Sequence, residues 1–218
     1  MRSWILALSF ILSTTCSVFA NENPGFQKPT YFGPLSAAER RFAVSVQHEM
    51  QKKYPTAADA EKAGFVRYTS ADDTGAISYA NQKWQSRDTK TPSQLWYDKN
   101  GSLLGADYSR LKTSKKPPKL WGINPGRWWE FDRHMHYVTK DPTTGKITYD
   151  GYVADDDFIA AGGSLTNPQP ETLVKMAKVK NASDVVTIFN FPAIWDLIVW
   201  AIPNPKGPFA YKNPNVKP

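Results

Sequence analysis

Cysteine and histidine are both scarce in this 218-residue chain, which contains one cysteine and three histidines. The single cysteine, Cys16, lies in a leader that we expect to be removed. A mature chain without cysteine has no disulfide, no cysteine nucleophile and no cysteine-ligated zinc or iron–sulfur cluster. Secreted eukaryotic domains more often carry disulfides, so this absence favours an exported bacterial protein.

The first twenty residues have the pattern of a secretory signal peptide. Arg2 supplies a short positive region, residues 4–12 are apolar, and Val18-Phe19-Ala20 is a small-x-small cleavage signal. The apolar run is shorter than the roughly 20 residues that a membrane-spanning helix needs. We therefore predict cleavage after Ala20 and a periplasmic or secreted chain that does not span a membrane.

Several motifs of common enzymes and of nucleic-acid-binding proteins are also missing. The chain contains no Gly-x-Ser-x-Gly, no His-Glu-x-x-His and no phosphate-binding loop. The sequence does not exclude a carboxylate pair of the kind that cleaves glycosides, because such pairs come together only in the fold. The net charge of +7 suits an anionic envelope polymer, or serves solubility alone. We predict a small molecule or such a polymer as partner, and no nucleic acid.

The length favours a single domain after the leader. Residues 21–34 are rich in proline and glycine and predict an extended lead-in, and residues 35–218 are predicted to form one α+β domain. Ser36 and Glu39 have the spacing of a capping box, which begins a helix that ends near Lys53. Thr56 begins a second, short helix that Gly64 ends.

Alternating apolar and polar residues then predict a mainly antiparallel sheet with the first helix packed on it. A hairpin turns at Asn100-Gly101, a pair that accepts the positive φ angles of a tight turn. Residues 154–170, with three aspartates, two glycines and two prolines, predict a loop, and a helix is predicted over 171–178. The predicted strands cover residues 65–69, 76–80, 95–104, 128–139, 146–153, 185–191 and 194–202.

Two of the three histidines lie two residues apart, in the segment His134-Met-His136. A single strand over residues 128–139 places Glu130 and Asp132 on the same face as both histidines. Alternate side chains of a strand lie about 7 Å apart, so two imidazoles can bind one metal ion if a carboxylate completes the site. The same face also fits a polar ligand pocket, or a structural pair of histidines.

Tryptophan is abundant, with seven of the eight residues in the predicted mature chain. Tryptophan rings stack on sugars and lipid-like ligands, and they also bury large areas in protein cores. Trp128 and Trp129 point to opposite faces of a strand, so at least one of them belongs to the core. We predict Trp128 in the pocket and Trp195 in the core.

Residues 54–65, 95–108 and 195–215 resemble a group of exported bacterial proteins. The most specific part is the strand Trp195-Asp-Leu-Ile-Val-Trp200, followed by Asn204-Pro-Lys-Gly-Pro-Phe209. The resemblance implies a His/Glu site assembled across strands of an antiparallel sheet.

That site implies a His-Tyr pair where this chain has Ser78-Tyr79, an acidic residue at Asp107 and a histidine where this chain has Ile198. Of the imidazoles in this part of the chain, only those of His134 and His136 are present. The resemblance therefore implies a site that has lost its metal, or one in which both histidines and Asp107 bind.

Three functions follow as expectations, and catalysis stays open among them. The first is an exported envelope protein with a polar, aromatic-lined, non-catalytic ligand pocket. The second is an enzyme with a divalent metal ion, and the third is a structural or partner-binding protein without a pocket. The predicted pocket residues are Tyr79, Asp107, Trp128, His134 and His136, and the predicted metal ligands are Asp107, Glu130, His134 and His136.

Overall fold

The computed structural model describes residues 26–217, so the predicted signal peptide and the start of the lead-in lie outside the described residues. Within this range the chain forms the predicted α+β domain, with a helix packed on a mainly antiparallel sheet. The helices are α1 (Ala37–Lys53), α2 (Ala57–Lys62), α3 (Asp155–Ala160) and α4 (Pro170–Lys175). The strands are β1 (Phe26–Gln27), β2 (Val66–Arg67), β3 (Ile77–Ala80), β4 (Gln94–Tyr97), β5 (Leu103–Leu111), β6 (Trp129–Phe131), β7 (His134–Lys140), β8 (Ile147–Ala154), β9 (Val185–Phe191) and β10 (Ile194–Trp200).

Helix α1 begins at the predicted capping box. The Ser36 hydroxyl accepts a hydrogen bond from the Glu39 backbone N–H (3.1 Å), and the Glu39 carboxylate accepts one from the Ser36 N–H (2.7 Å). Phe42, Val46 and Met50 repeat at helical spacing and are buried. This apolar stripe holds α1 against one face of the larger sheet. No helix within residues 26–217 has the length and apolar character needed to cross a bilayer.

Seven strands form the larger sheet, in the order β1-β6-β10-β5-β4-β3-β2, and every described pairing is antiparallel. Because side chains alternate along a strand, the two faces differ sharply. One face carries Leu95, Tyr108, Leu197 and Val199, which form the main core with α1. The other face carries polar and aromatic side chains and turns toward the smaller sheet.

The smaller sheet has the order β8-β7-β9, with the histidine strand β7 at its centre. Met135 packs into a second core with Phe158 of α3 and Leu173 of α4. His134 and His136 alternate with Met135 and therefore point to the opposite face, toward the larger sheet. The prediction that this strand has one core face and one polar face is confirmed.

The prediction of one continuous strand over residues 128–139 is wrong. Strand β6 ends at Phe131 in the larger sheet and β7 begins at His134 in the smaller one. The charged residues Asp132 and Arg133 form the crossing between the sheets, where the chain leaves both ladders. The alternation of side chains is therefore interrupted, so Trp128 and Glu130 do not share a face with the histidines.

The loop predicted over residues 154–170 is also partly wrong, because its start forms helix α3. Three aspartates occupy the first turn of this helix, where the positive end of the helix dipole favours negative charge. Gly162 adopts a positive φ of 88° just after the helix, and the Gly163 N–H donates to the Phe158 carbonyl at 2.9 Å. This is the hydrogen bonding of a glycine-terminated helix.

Candidate functional site

A cavity of about 540 Å³ lies between the polar face of the larger sheet and the histidine strand of the smaller one. Strands β3, β5 and β10 contribute Ser78, Asp107 and Ile198 to its wall, and β7 contributes His134 and His136. These are the five positions at which the resemblance implies a cross-strand site. They are far apart in sequence, and the fold brings them to one place.

His134 is buried and holds a defined orientation. Its Nδ1 lies 3.1 Å from the Asp132 carbonyl oxygen, and its ring stacks on Phe191 at a centroid distance of 4.7 Å. A carbonyl oxygen only accepts, so the Nδ1–H donates and Nε2 keeps its lone pair in the neutral ring. Burial lowers the pKa of His134, although the Asp132 carbonyl and the Asp155 charge oppose that shift. At neutral pH this imidazole is therefore uncharged and offers an acceptor.

His136 links the two sheets across the cavity. Its Nε2–H donates to the Tyr68 carbonyl at 2.8 Å, just beyond the end of β2. Its ring also meets the Tyr68 ring edge-on, with centroids 5.1 Å apart. Tyr68 in turn donates its hydroxyl to the Gln94 side-chain oxygen in the larger sheet. His136 therefore positions one side of the cavity wall relative to the other.

Replacing His136 with phenylalanine is expected to destabilise the protein by about 1–3 kcal/mol, because the buried Tyr68 carbonyl loses its imidazole donor. Urea unfolding at neutral pH measures this change. The matched control is His48→Phe on α1, whose side chain is largely exposed and which should change stability by less than about 0.5 kcal/mol. Equal effects of the two substitutions would contradict the linking role of His136.

Two buried carboxyl groups lie side by side in the cavity wall. Asp107 is on β5 and Asp196 is on the neighbouring strand β10, whose register pairs Asp107 with Ile198 and Asp196 with Ser109. Both aspartates therefore occupy the same face of the sheet, and each carboxyl group influences the pKa of the other. Two buried neighbouring carboxyl groups cannot both ionise without a large cost, so the pair tends to retain a proton.

Fixed donors surround this carboxyl pair. The Trp96 indole N–H donates to Asp107 Oδ2 at 2.9 Å, the Ser109 hydroxyl donates to Asp196 Oδ1 at 2.7 Å, and the Gln94 amide donates to Asp196 Oδ2 at 3.4 Å. Among the described residues, no N–H or O–H of another side chain or of the backbone reaches the buried Asp107 Oδ1. A buried acceptor without a donor is costly, which further favours a proton held between the two carboxyl groups.

The environment of the pair raises the pKa of both carboxyl groups. Burial, together with the neighbouring Asp196 charge, raises the pKa of Asp107 well above its usual range. Burial also raises the pKa of Asp196 to about 7, although hydrogen bonds from Ser109 and Asp107 oppose that shift. Carboxyl groups that change protonation near neutral pH are concentrated at functional sites.

Aromatic rings make up much of the remaining wall. Trp96 meets Trp200 edge-on at a centroid distance of 5.7 Å, and Trp129 stacks on Phe131 at 6.4 Å. Phe131 continues this layer toward Phe191 of the smaller sheet, at 6.3 Å. The cavity is thus bounded by flat apolar surfaces, with the carboxyl pair and His134 as fixed polar points. That combination is typical of sites for small organic molecules.

Three of the predicted site residues do not line this cavity. Tyr79 and Trp128 lie in the main core on the α1 side of the larger sheet. Glu130 also lies outside the cavity wall, and its carboxylate pairs with the Lys112 ammonium. Alternation explains Tyr79, because its neighbour Ser78 takes the cavity face. The break before β7 explains Trp128 and Glu130, since Trp129 and Phe131 are the residues of that segment that reach the cavity.

The structure brings Asp107, His134 and His136 of the four predicted metal ligands to one cavity, but not Glu130. Glu130 lies outside the wall, and Asp107 is held by Trp96 and Asp196. Across residues 26–217, no group of three or more histidine, cysteine, aspartate or glutamate side chains is arranged to hold a metal ion. His134 and His136 have ring centroids 6.3 Å apart, and each directs one ring nitrogen at a backbone carbonyl.

Sequence reasoning missed Asp196, Gln94 and Trp129 as site residues. A usable signal existed for Asp196, which is the only charged residue in the apolar strand β10. A charged residue in a buried strand needs a polar partner, so its presence indicates a polar site on that face. For Gln94 and Trp129 the missing information was the strand register, which no local pattern contains.

Comparison with known proteins does not extend these observations. No protein-family model matches the chain, and neither a curated protein nor a solved structure matches it at a significant level.

Proposed function

We propose that this protein is exported and that it binds a small molecule in the cavity around His134 and His136. The observation that supports this best is the meeting of Ser78, Asp107, Ile198 and both histidines in one cavity of about 540 Å³. Sites for small molecules usually have about 300–1,000 Å³, mostly apolar walls and a few fixed polar groups.

The proposal is one of binding without a catalytic step. His136 and Asp107 are held by hydrogen bonds within the protein, to the Tyr68 carbonyl and from the Trp96 indole. His134 is oriented by a carbonyl and a stacked ring. Groups fixed in this way recognise a ligand with little loss of conformational entropy, which increases affinity.

A screen of small molecules by two-dimensional NMR of the tryptophan indole N–H groups tests this function. A ligand in the cavity is expected to shift the Trp96 and Trp129 signals, because these residues line or border the cavity wall. The Trp195 signal should stay constant, because its indole N–H donates to the Ser114 carbonyl away from the cavity.

The substitution Ser78→Trp fills the cavity and should abolish such binding. The matched control, Ser164→Trp, places the same ring on an exposed serine outside the cavity and should bind normally. A diverse screen without any ligand that shifts Trp96 and Trp129, or ligands that bind the Ser78→Trp protein equally well, would refute the proposed function. Self-association in that case would favour a partner-binding protein.

A further inference from the structure

The charged groups of the cavity wall are all acidic. Asp72, Asp73, Asp107 and Asp196 line it, and no lysine or arginine of the described residues does. Asp73 is compensated from outside the wall by Lys212, whose ammonium lies 2.8 Å away. The wall is therefore acidic in a chain whose net charge is +7. An anionic ligand would meet no opposite charge inside.

Two polar groups in the wall offer acceptor atoms, and the buried Trp129 indole N–H is a donor without an acceptor among the described residues. His134 presents the lone pair of Nε2 in its neutral form, and burial raises the pKa of both carboxyl groups of the Asp107–Asp196 pair. The buried Asp107 Oδ1 receives no hydrogen bond from another described donor. A ligand that brings N–H donors and positive charge complements this set.

The aromatic rings complete the environment that a cation prefers. Trp96, Trp129, Phe131 and Phe191 line the cavity. The face of such a ring carries partial negative charge and attracts an ammonium group within about 6 Å, most strongly when the site is shielded from water. Aromatic rings and buried carboxyl groups in one wall are the two features that attract a positively charged head group.

We propose that the ligand is an organic amine, whose ammonium group lies against these rings and is neutralised by the Asp107–Asp196 pair. This inference rests on the proposed function and names the ligand class of the same cavity. An organic amine takes the place of the anionic polymer expected from the net charge, because no lysine or arginine of the described residues lines the cavity.

Binding of an ammonium group should release a proton from the carboxyl pair. A cation favours the ionised form of the carboxyl groups that it contacts. Affinity for an amine is therefore expected to increase as the pH rises from 5 to 8. The titratable groups around the pair are those of Tyr68, Asp72, Asp73, His134, His136, Tyr152 and Tyr211.

Three probes with one carbon skeleton and different charge test the ligand class: phenethylammonium, phenethyl alcohol and phenylacetate. By calorimetry at pH 8, phenethylammonium should bind about tenfold or more tightly than the alcohol, and phenylacetate should bind weakest. Titrations in buffers of different ionisation enthalpy should show release of protons near pH 6. The preference for the cation should disappear in the double variant Asp107→Asn, Asp196→Asn, and it should persist in the control Asp156→Asn, on an exposed residue outside the cavity wall.

The alcohol binding as tightly as the cation, or no binding of the cation, would overturn the inference. The proposed function would still stand if the indole NMR screen finds a ligand of another class, so the two failures are distinguishable. A cation preference that survives the double substitution would remove the carboxyl pair from the site.

Discussion

The variant Asp196→Asn is expected to be more stable than the natural protein above pH 7, and about as stable near pH 4. In the folded protein burial raises the pKa of Asp196 from 3.8 to about 7, so the folded state holds a proton that the unfolded chain has lost. The free energy of unfolding of the natural protein therefore falls as the pH rises from about 4 to about 7. Asparagine has no charge to bury, so this contribution disappears.

The expected gain is several kcal/mol at pH 8, because a change of one pKa unit corresponds to about 1.4 kcal/mol and sets an upper limit of about 4 kcal/mol. An asparagine amide can also form a hydrogen bond with the Asp107 carboxyl group, so a polar contact between the two positions is retained. Urea unfolding at intervals of one pH unit measures the effect. A variant that is less stable than the natural protein at pH 8 would show that burial does not raise the pKa of Asp196.

The second large effect is expected from Glu39→Ala, which should destabilise the protein by about 3–5 kcal/mol. Glu39 is buried and accepts hydrogen bonds from Arg127 Nε (2.6 Å), from the Asn124 N–H (3.1 Å) and from the Ser36 N–H (2.7 Å). Removing it leaves the buried Arg127 guanidinium without its carboxylate. It also removes the hydrogen bond from the Ser36 N–H that is part of the capping box of α1. The segment before β6 is then no longer held against the helix.

The matched control is Glu49→Ala on the same helix, where the partly buried carboxylate pairs with the exposed Lys53 at 3.7 Å. Pairs at the surface of this kind contribute less than about 1 kcal/mol. Thermal and urea unfolding of both variants measure the difference. Similar losses for Glu39→Ala and Glu49→Ala would contradict the role of the buried Arg127–Glu39 pair.

Local signals in the sequence were sufficient for α1, α2, α4 and most strands, but not for α3. The capping residues Ser36 and Thr56 begin α1 and α2 as predicted, and the turn at Gly101, with a φ of 78°, closes the β4–β5 hairpin. These features depend on residues within a few positions of one another. The short-range physics of caps and turns is therefore readable from the chain alone.

The site was only partly predictable, because it depends on register between distant segments. His134 and His136 were placed correctly on a polar face, since a single strand determines that face. Ser78 and Tyr79 differ by one position, and only the pairing of β3 with β4 decides which of them reaches the cavity. The partnership of Asp107 with Asp196 likewise exists only through the β5–β10 register.

The most direct test of the central claim is a crystal structure of the protein with phenethylammonium bound at pH 8. The account predicts the ligand in the cavity between the two sheets, with its nitrogen beside the carboxyl groups of Asp107 and Asp196 and its ring against the aromatic wall of Trp96. A ligand bound elsewhere on the protein, with this cavity empty, would contradict the account.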